Sequence, residues 1–159
     1  MAKGSGSSRM AAPRGAPERD MYNESRRLRT EALAVAESFK GTPKRFEIDG
    51  INGTFELSKA DVKTIVSKNT SDNRFNAIKN AMAKDVEGYL KKASYVGWRE
   101  VVEGKHPETE YFEYYDRTLM VKTYLCVRVL KGSGLKKPYA IIDEKTFNEE
   151  IGTVHKEKR

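Results

Sequence analysis

Glu113, Tyr115, Lys122, Tyr124, Arg128 and Tyr139 put a carboxylate, phenols and cations into one short stretch of chain. Cations match phosphates, phenols stack on bases or donate hydrogen bonds, and a carboxylate can move a proton. Brought together on one surface, such a set suits a phosphodiester. The competing explanation is plain: an antiparallel sheet leaves one face wet, and wet faces carry charge.

Whether the set is brought together depends on the elements that carry it. The stretch Tyr111 to Asp143 holds three runs, YFEYYDRTLMV, KTYLCVRVLK and PYAIID, with Gly-Ser-Gly between the second and third. Short runs rich in Tyr, Val, Leu and Ile around a Gly turn predict a small antiparallel meander. In the second run Thr123, Leu125, Val127 and Val129 share one parity; Lys122, Tyr124, Cys126 and Arg128 share the other. Side chains alternate across a strand, so the first set is predicted to bury and the second to lie open. By the same rule Phe112 and Tyr114 face inward, and Glu113, Tyr115 and Arg117 face outward. In the third run Ala140 and Ile142 are expected inside, with Tyr139 on the open face.

The rest of the chain supplies the support. Residues 1–19 (MAKGSGSSRMAAPRGAPER) have almost nothing to bury and predict a disordered, basic arm. From 20 to 40, Met21, Leu28, Leu33, Val35, Ala36 and Phe39 recur at mostly helical spacing before Gly41 and Pro43. This leading helix is expected to pack across the domain or to dock a partner. Phe46/Ile48 and Phe55/Leu57 flank Asp49-Gly50 and Asn52-Gly53, which predicts a hairpin. Ser58 is a good N-cap for a short helix to Lys68, and a second helix is predicted over Phe75–Lys92. ASYVGW reads as a brief strand or turn, REVVEGKHPETE as a polar loop, and EKTFNEEIGTVHKEKR as one helical turn and a charged tail. One domain over 20–148, with a tail over 149–159, follows.

The totals limit the function classes. With 30 Lys and Arg against 23 Asp and Glu, the net charge of +7 favours a polyanionic partner such as RNA. No apolar run approaches the ~20 residues of a membrane helix, and no secretory-type apolar core leads the sequence, so neither membrane nor export by that route is expected. Cys126 is the single cysteine and has no partner for a disulfide. The two histidines, His106 and His155, lie far apart in sequence, which leaves little for a zinc site or a catalytic triad. His106, just before the meander, is a lesser candidate acid or base. KGSGLKK lacks the spacing of a phosphate-binding loop, and no carboxylate cluster marks a two-metal nuclease. No metal or other cofactor is therefore expected.

Several phrases resemble a known family. FELSKADVKTIVSK, a helix ending LKKASYVG, a variable loop, YFEYYDRTLMVKTYLCVRV and PYAIID look like the barnase–EndoU–colicin–RelE-like nuclease domains. More narrowly, they resemble the versions associated with phage head proteins and large polyvalent phage proteins, and the likeness spans roughly Glu24 to Asp143. It implies an α+β fold, helices first and then a curved antiparallel sheet, cleaving RNA by 2′-hydroxyl transesterification without metal. Carried over by position, Glu113 would be the base, Arg128 and Lys122 the phosphate clamps, and Tyr115 or Tyr124 the acid or a stacking group. Lys63, Lys68 and Arg74 would approach from the helices, with Arg117 and Tyr139 adding contacts to the nucleic acid. Relatives often carry a histidine after the first helix or in the first meander strand, where this sequence has Ser67 to Asn69 and Glu113. The resemblance thus implies a toxin-like effector or virion cargo acting in a bacterial host cytoplasm. A catalytically silent nucleic-acid-binding or virion-associated module stands as the alternative. A virion or immunity protein could dock on the leading helix in either case.

Overall fold

A computed structural model describes residues 15–100, 108–150 and 154–156. His106 and most of the polar loop before the meander lie outside these residues, as do 1–14, 151–153 and 157–159. The chain is an α+β domain. It begins with α1 (Gly15–Glu37), followed by β1 (Lys44–Phe46), β2 (Phe55–Leu57), α2 (Lys59–Ser67), α3 (Asn73–Lys84) and α4 (Val86–Lys92). Then come β3 (Ser94–Arg99), β4 (Thr109–Asp116), β5 (Val121–Val129), β6 (Lys136–Asp143) and α5 (Glu144–Glu150). The strands form a sheet in the order β1-β2-β6-β5-β4-β3, antiparallel except where β2 meets β6 at Phe55 and Lys136.

The helices begin and end for local reasons. Ser58 and Asp61 form a reciprocal capping box at the start of α2, each side chain accepting the other's backbone N–H. Asp72 caps α3 by accepting from the N–H groups of Arg74 and Phe75. The single helix expected over Phe75–Lys92 is two. At Asp85 the backbone leaves helical geometry (φ −146°, ψ 65°) and its side chain caps α4 through the Gly88 N–H at 3.1 Å. A side chain at Gly88 would collide with that carboxylate. The apolar spacing runs through the break because Val86 and Leu90 still bury beside Met82.

The alternation expected of β4 holds, and that of β5 holds from Thr123 to Val127; Val129, at the strand's end, is only half-buried. Thr123, Leu125 and Val127 are buried toward the helices, with Phe112 on β4 and Phe55 on β2. Val62, Ile65 and Val66 of α2, with Phe75, Ile78 and Met82 of α3, complete this core. The leading helix packs across the domain: Ser25, Ala32 and Ala36 are buried, and Asn80 of α3 donates to the Ser25 carbonyl at 3.0 Å. Small residues on that stripe let the two helices approach closely.

Three expectations need correction. In β6 it is Ile141, not Ala140 and Ile142, that joins the helix-side core. A bulge lies opposite Cys126/Val127, where Ala140 pairs with Cys126 but Pro138 pairs with Val127. The extra residue, Tyr139, shifts the phase of everything after it. Arg117 is not on the strand face, because β4 ends at Asp116 and Arg117 opens the exposed turn. The last correction is the largest: the other face of the sheet is not open. Phe147 of α5 stacks on Tyr124 (3.9 Å, 5°) and meets Tyr111 edge-on (5.4 Å, 70°). Tyr111, Tyr124, Cys126 and Phe147 form a second small core. The tail returns as well: the Trp98 N–H donates to the His155 carbonyl at 2.8 Å, and the His155 N–H to the Trp98 carbonyl at 2.7 Å. The strand tolerates that approach because Gly97 (φ 151°) has no Cβ to strike Val154 and the His155 carbonyl.

Candidate functional site

The pairing of β4 with β5 arranges the polar face as rungs. Tyr115 lies opposite Lys122, Glu113 opposite Tyr124, Tyr111 opposite Cys126, and Thr109 opposite Arg128. Glu113 and Thr109 are therefore four residues apart along one strand. At roughly 3.4 Å per residue that is about 14 Å of backbone, so Glu113 and Arg128 lie toward opposite ends of the face. Phe147 roofs both Tyr124, on the Glu113 rung, and Tyr111, on the rung between the two ends.

The near end holds a compact group. The Tyr124 hydroxyl donates to Glu113 Oε2 at 2.8 Å, which fixes the carboxylate. Burial, reinforced by that bond, pushes the Tyr124 phenol well above its ordinary range, so it stays a neutral donor. On the next rung Tyr115 is exposed, and Lys122 Nζ lies 3.4 Å from Glu144 Oε2 at the start of α5. Glu113, Tyr115, Lys122 and Tyr124 are thus brought together. A carboxylate, a phenol and an ammonium on adjacent rungs can take a proton, give one and neutralise an anion.

The far end is built differently. Arg99 Nη1 lies 2.5 Å from Glu150 Oε1, which also accepts from the Tyr111 hydroxyl at 2.9 Å. Burial raises the Tyr111 phenol, and it pushes Tyr139, whose hydroxyl lies 3.3 Å from Thr109 Oγ1, up to about 12. Arg128 Nε is buried and has no hydrogen-bond partner among the described residues. Cys126 is buried, and burial raises its thiol, so it is not a nucleophile.

The remaining expected contacts scatter. Lys63 is exposed on α2, and Arg74, in the first turn of α3, lies 3.6 Å from Asp72 Oδ1. Lys68, just past α2, is exposed and close enough for its charge to be felt at Cys126. Arg117 sits in the exposed β4–β5 turn beside Met120. The residues that sequence reasoning missed are Glu144, Phe147 and Glu150, which roof the face, and Arg99, which anchors the roof. The cues were the apolar Phe147, Ile151 and Val154 in a largely polar tail.

No protein-family model matches the chain, no curated protein matches it, and no solved structure matches it. Among the described residues no helix is long and apolar enough to cross a membrane.

Proposed function

We propose that this chain cleaves RNA at the Glu113 end of the sheet, by attack of a ribose 2′-hydroxyl on the adjacent phosphorus. The supporting observation is the Glu113 carboxylate held by Tyr124 at 2.8 Å, with Tyr115 and Lys122 as the neighbouring rung. Glu113 takes the 2′-hydroxyl proton, the 2′-oxygen bonds to phosphorus, and the 5′-oxygen leaves with a proton from the exposed Tyr115 phenol. Lys122, released from Glu144, meets the charge that builds on the phosphate. The net charge of +7 and the likeness to phage-associated nuclease domains favour an effector or virion cargo that acts on RNA in a bacterial cytoplasm. Total bacterial RNA and tRNA, incubated in chelator with the wild-type chain and with Glu113→Gln, test this. The expected result is fragments with 2′,3′-cyclic ends that disappear with Glu113→Gln. Intact RNA at high protein concentration would overturn it.

One feature favours a second reading, a nucleic-acid-binding or virion-associated module without catalysis. The α5 roof covers Tyr111 and Tyr124, and Glu144 already occupies Lys122. Salt-sensitive RNA binding without cleavage would select it.

A further inference from the structure

On the far side of the helices, α1 and the loop between α2 and α3 enclose a cavity of about 390 Å³. Its α1 wall is Tyr22, Ser25, Arg26 and Arg29, spaced i, i+3, i+4 and i+7, so one helical face supplies it. The opposite wall comes from Asn69, Thr70 and Asn73, and no Asp or Glu lines the cavity. Several other cations of these helices are matched: Arg27 pairs with Glu24 and Glu31, Lys84 with Glu31 at 2.5 Å, and Lys59 with Glu37. Arg26 and Arg29 have no ion-pair partner among the described residues. The loop wall is rigid, because Asn76 Oδ1 accepts from the Thr70 N–H at 2.9 Å while its Nδ2 donates to the Thr70 carbonyl at 2.9 Å. Behind it lies the buried ammonium of Lys79, which donates to the Lys68 carbonyl and, at 3.4 Å, to Asn69 Oδ1. The concavity is therefore electropositive, with a half-exposed aromatic ring at its rim: Tyr22, with Arg26 5.6 Å over it.

We propose that this cavity is a second nucleic-acid site that holds single-stranded RNA, with phosphates on Arg26 and Arg29, a base on Tyr22, and amide contacts from Asn69 and Asn73. Unpaired cations in a groove beside an exposed ring are what single strands bind, since every base has a stacking face and every linkage a charge. The site lies on the helices rather than on the Glu113 rung, so it would grip substrate away from the reacting group. It does not depend on whether the chain cleaves.

A labelled 2′-deoxy oligothymidylate of about twelve nucleotides reads binding alone, because without a 2′-hydroxyl it cannot be cleaved by transesterification; fluorescence anisotropy over a salt series gives both affinity and slope. Arg26→Ala/Arg29→Ala should weaken binding at least tenfold and lower the salt slope by about 1.4, at roughly 0.7 per phosphate contact on a single strand. Tyr22→Ala should weaken it at least about fivefold without changing the slope, since stacking carries no counterion. Arg27→Ala, which removes an equally exposed but paired cation of the same helix, should change it less than threefold. The substituted side chains are exposed, so a thermal midpoint within a few degrees of wild type shows that each variant is folded. Wild-type affinity in Arg26→Ala/Arg29→Ala, or an equal loss with Arg27→Ala, would overturn the site. A chain that ignores the oligonucleotide but captures a doubly phosphorylated peptide would replace RNA with a protein ligand.

Discussion

The two faces of this sheet are held by different forces. One is covered by α2, α3 and α4 through Leu125, Val127, Phe112 and their partners, a continuous apolar core. The other is covered by a helix of seven residues that buries one side chain, Phe147. There the fastening is polar: Glu150 to Arg99 and Tyr111, and Lys122 to Glu144. A face closed by a large apolar area is a scaffold. A face closed by one ring and a few polar contacts can open at modest cost, and the groups suited to chemistry lie at its margin.

The largest expected effect contrasts an ion pair on each face. Lys136 Nζ lies 2.9 Å from Glu110 Oε1, both side chains nearly buried, above the Phe55 ring. Glu110→Ala leaves that ammonium uncompensated and should cost about 3–5 kcal/mol in urea unfolding. Glu144→Gln breaks the partly exposed pair with Lys122 and should cost no more than about 1 kcal/mol. Equal losses would erase the contrast.

Next comes the roof itself. Phe147→Ala should lower stability by about 3 kcal/mol and speed modification of Cys126, the single cysteine, by a thiol reagent at least tenfold. Leu125→Ala, on the scaffold face, should destabilise comparably, with a smaller gain in thiol reactivity at matched stability. A thiol equally reactive in both variants would mean that α5 is not the cover.

The smallest contrast is in pH. Burial, with repulsion from Arg29, pushes Lys79 down to about 8 from 10.5. Between those values the unfolded chain holds the extra proton, so stability should rise with pH, by an amount on the order of 2 kcal/mol. The tyrosines under the roof act in reverse: Tyr111, Tyr124 and Tyr139 are raised when folded, so their contribution is intact below pH 10 and lost above it. The buried Cys126 thiol, also raised, acts in the same sense as the tyrosines in both proteins, so it is the unfolding free energy of wild type minus that of Lys79→Met that should climb from about pH 7.5 to 10.

How much of this could be read in the sequence follows from how far each determinant reaches. The faces of β5, the capping box at Ser58 and the Gly-Ser-Gly turn are local, and each was legible. The β6 phase was not, because Tyr139 is extra only relative to its neighbour at Cys126/Val127. The roof was missed because a seven-residue helix with one apolar side chain has no periodicity to detect. Within the candidate site, strand parity correctly grouped Glu113 with Tyr115 and Lys122 with Tyr124. It could not show that Phe147 covers Tyr124 and Tyr111, on the way from Glu113 to Arg128 of the same parity. The polar stripe Tyr22, Ser25, Arg26 and Arg29 was not picked out, because the loop that completes the cavity with it lies some fifty residues away.

On the proposed mechanism the chemistry belongs to the Glu113 rung and is not shared with Arg128. The most direct measurement is the cleavage rate of a short RNA by wild type, Glu113→Gln and Arg128→Ala, compared in chelator at one pH. The expected result is a loss of at least about 100-fold for Glu113→Gln, the range for removing a general base, and less than about threefold for Arg128→Ala. Equal losses in the two variants, or a loss confined to Arg128→Ala, would contradict the account.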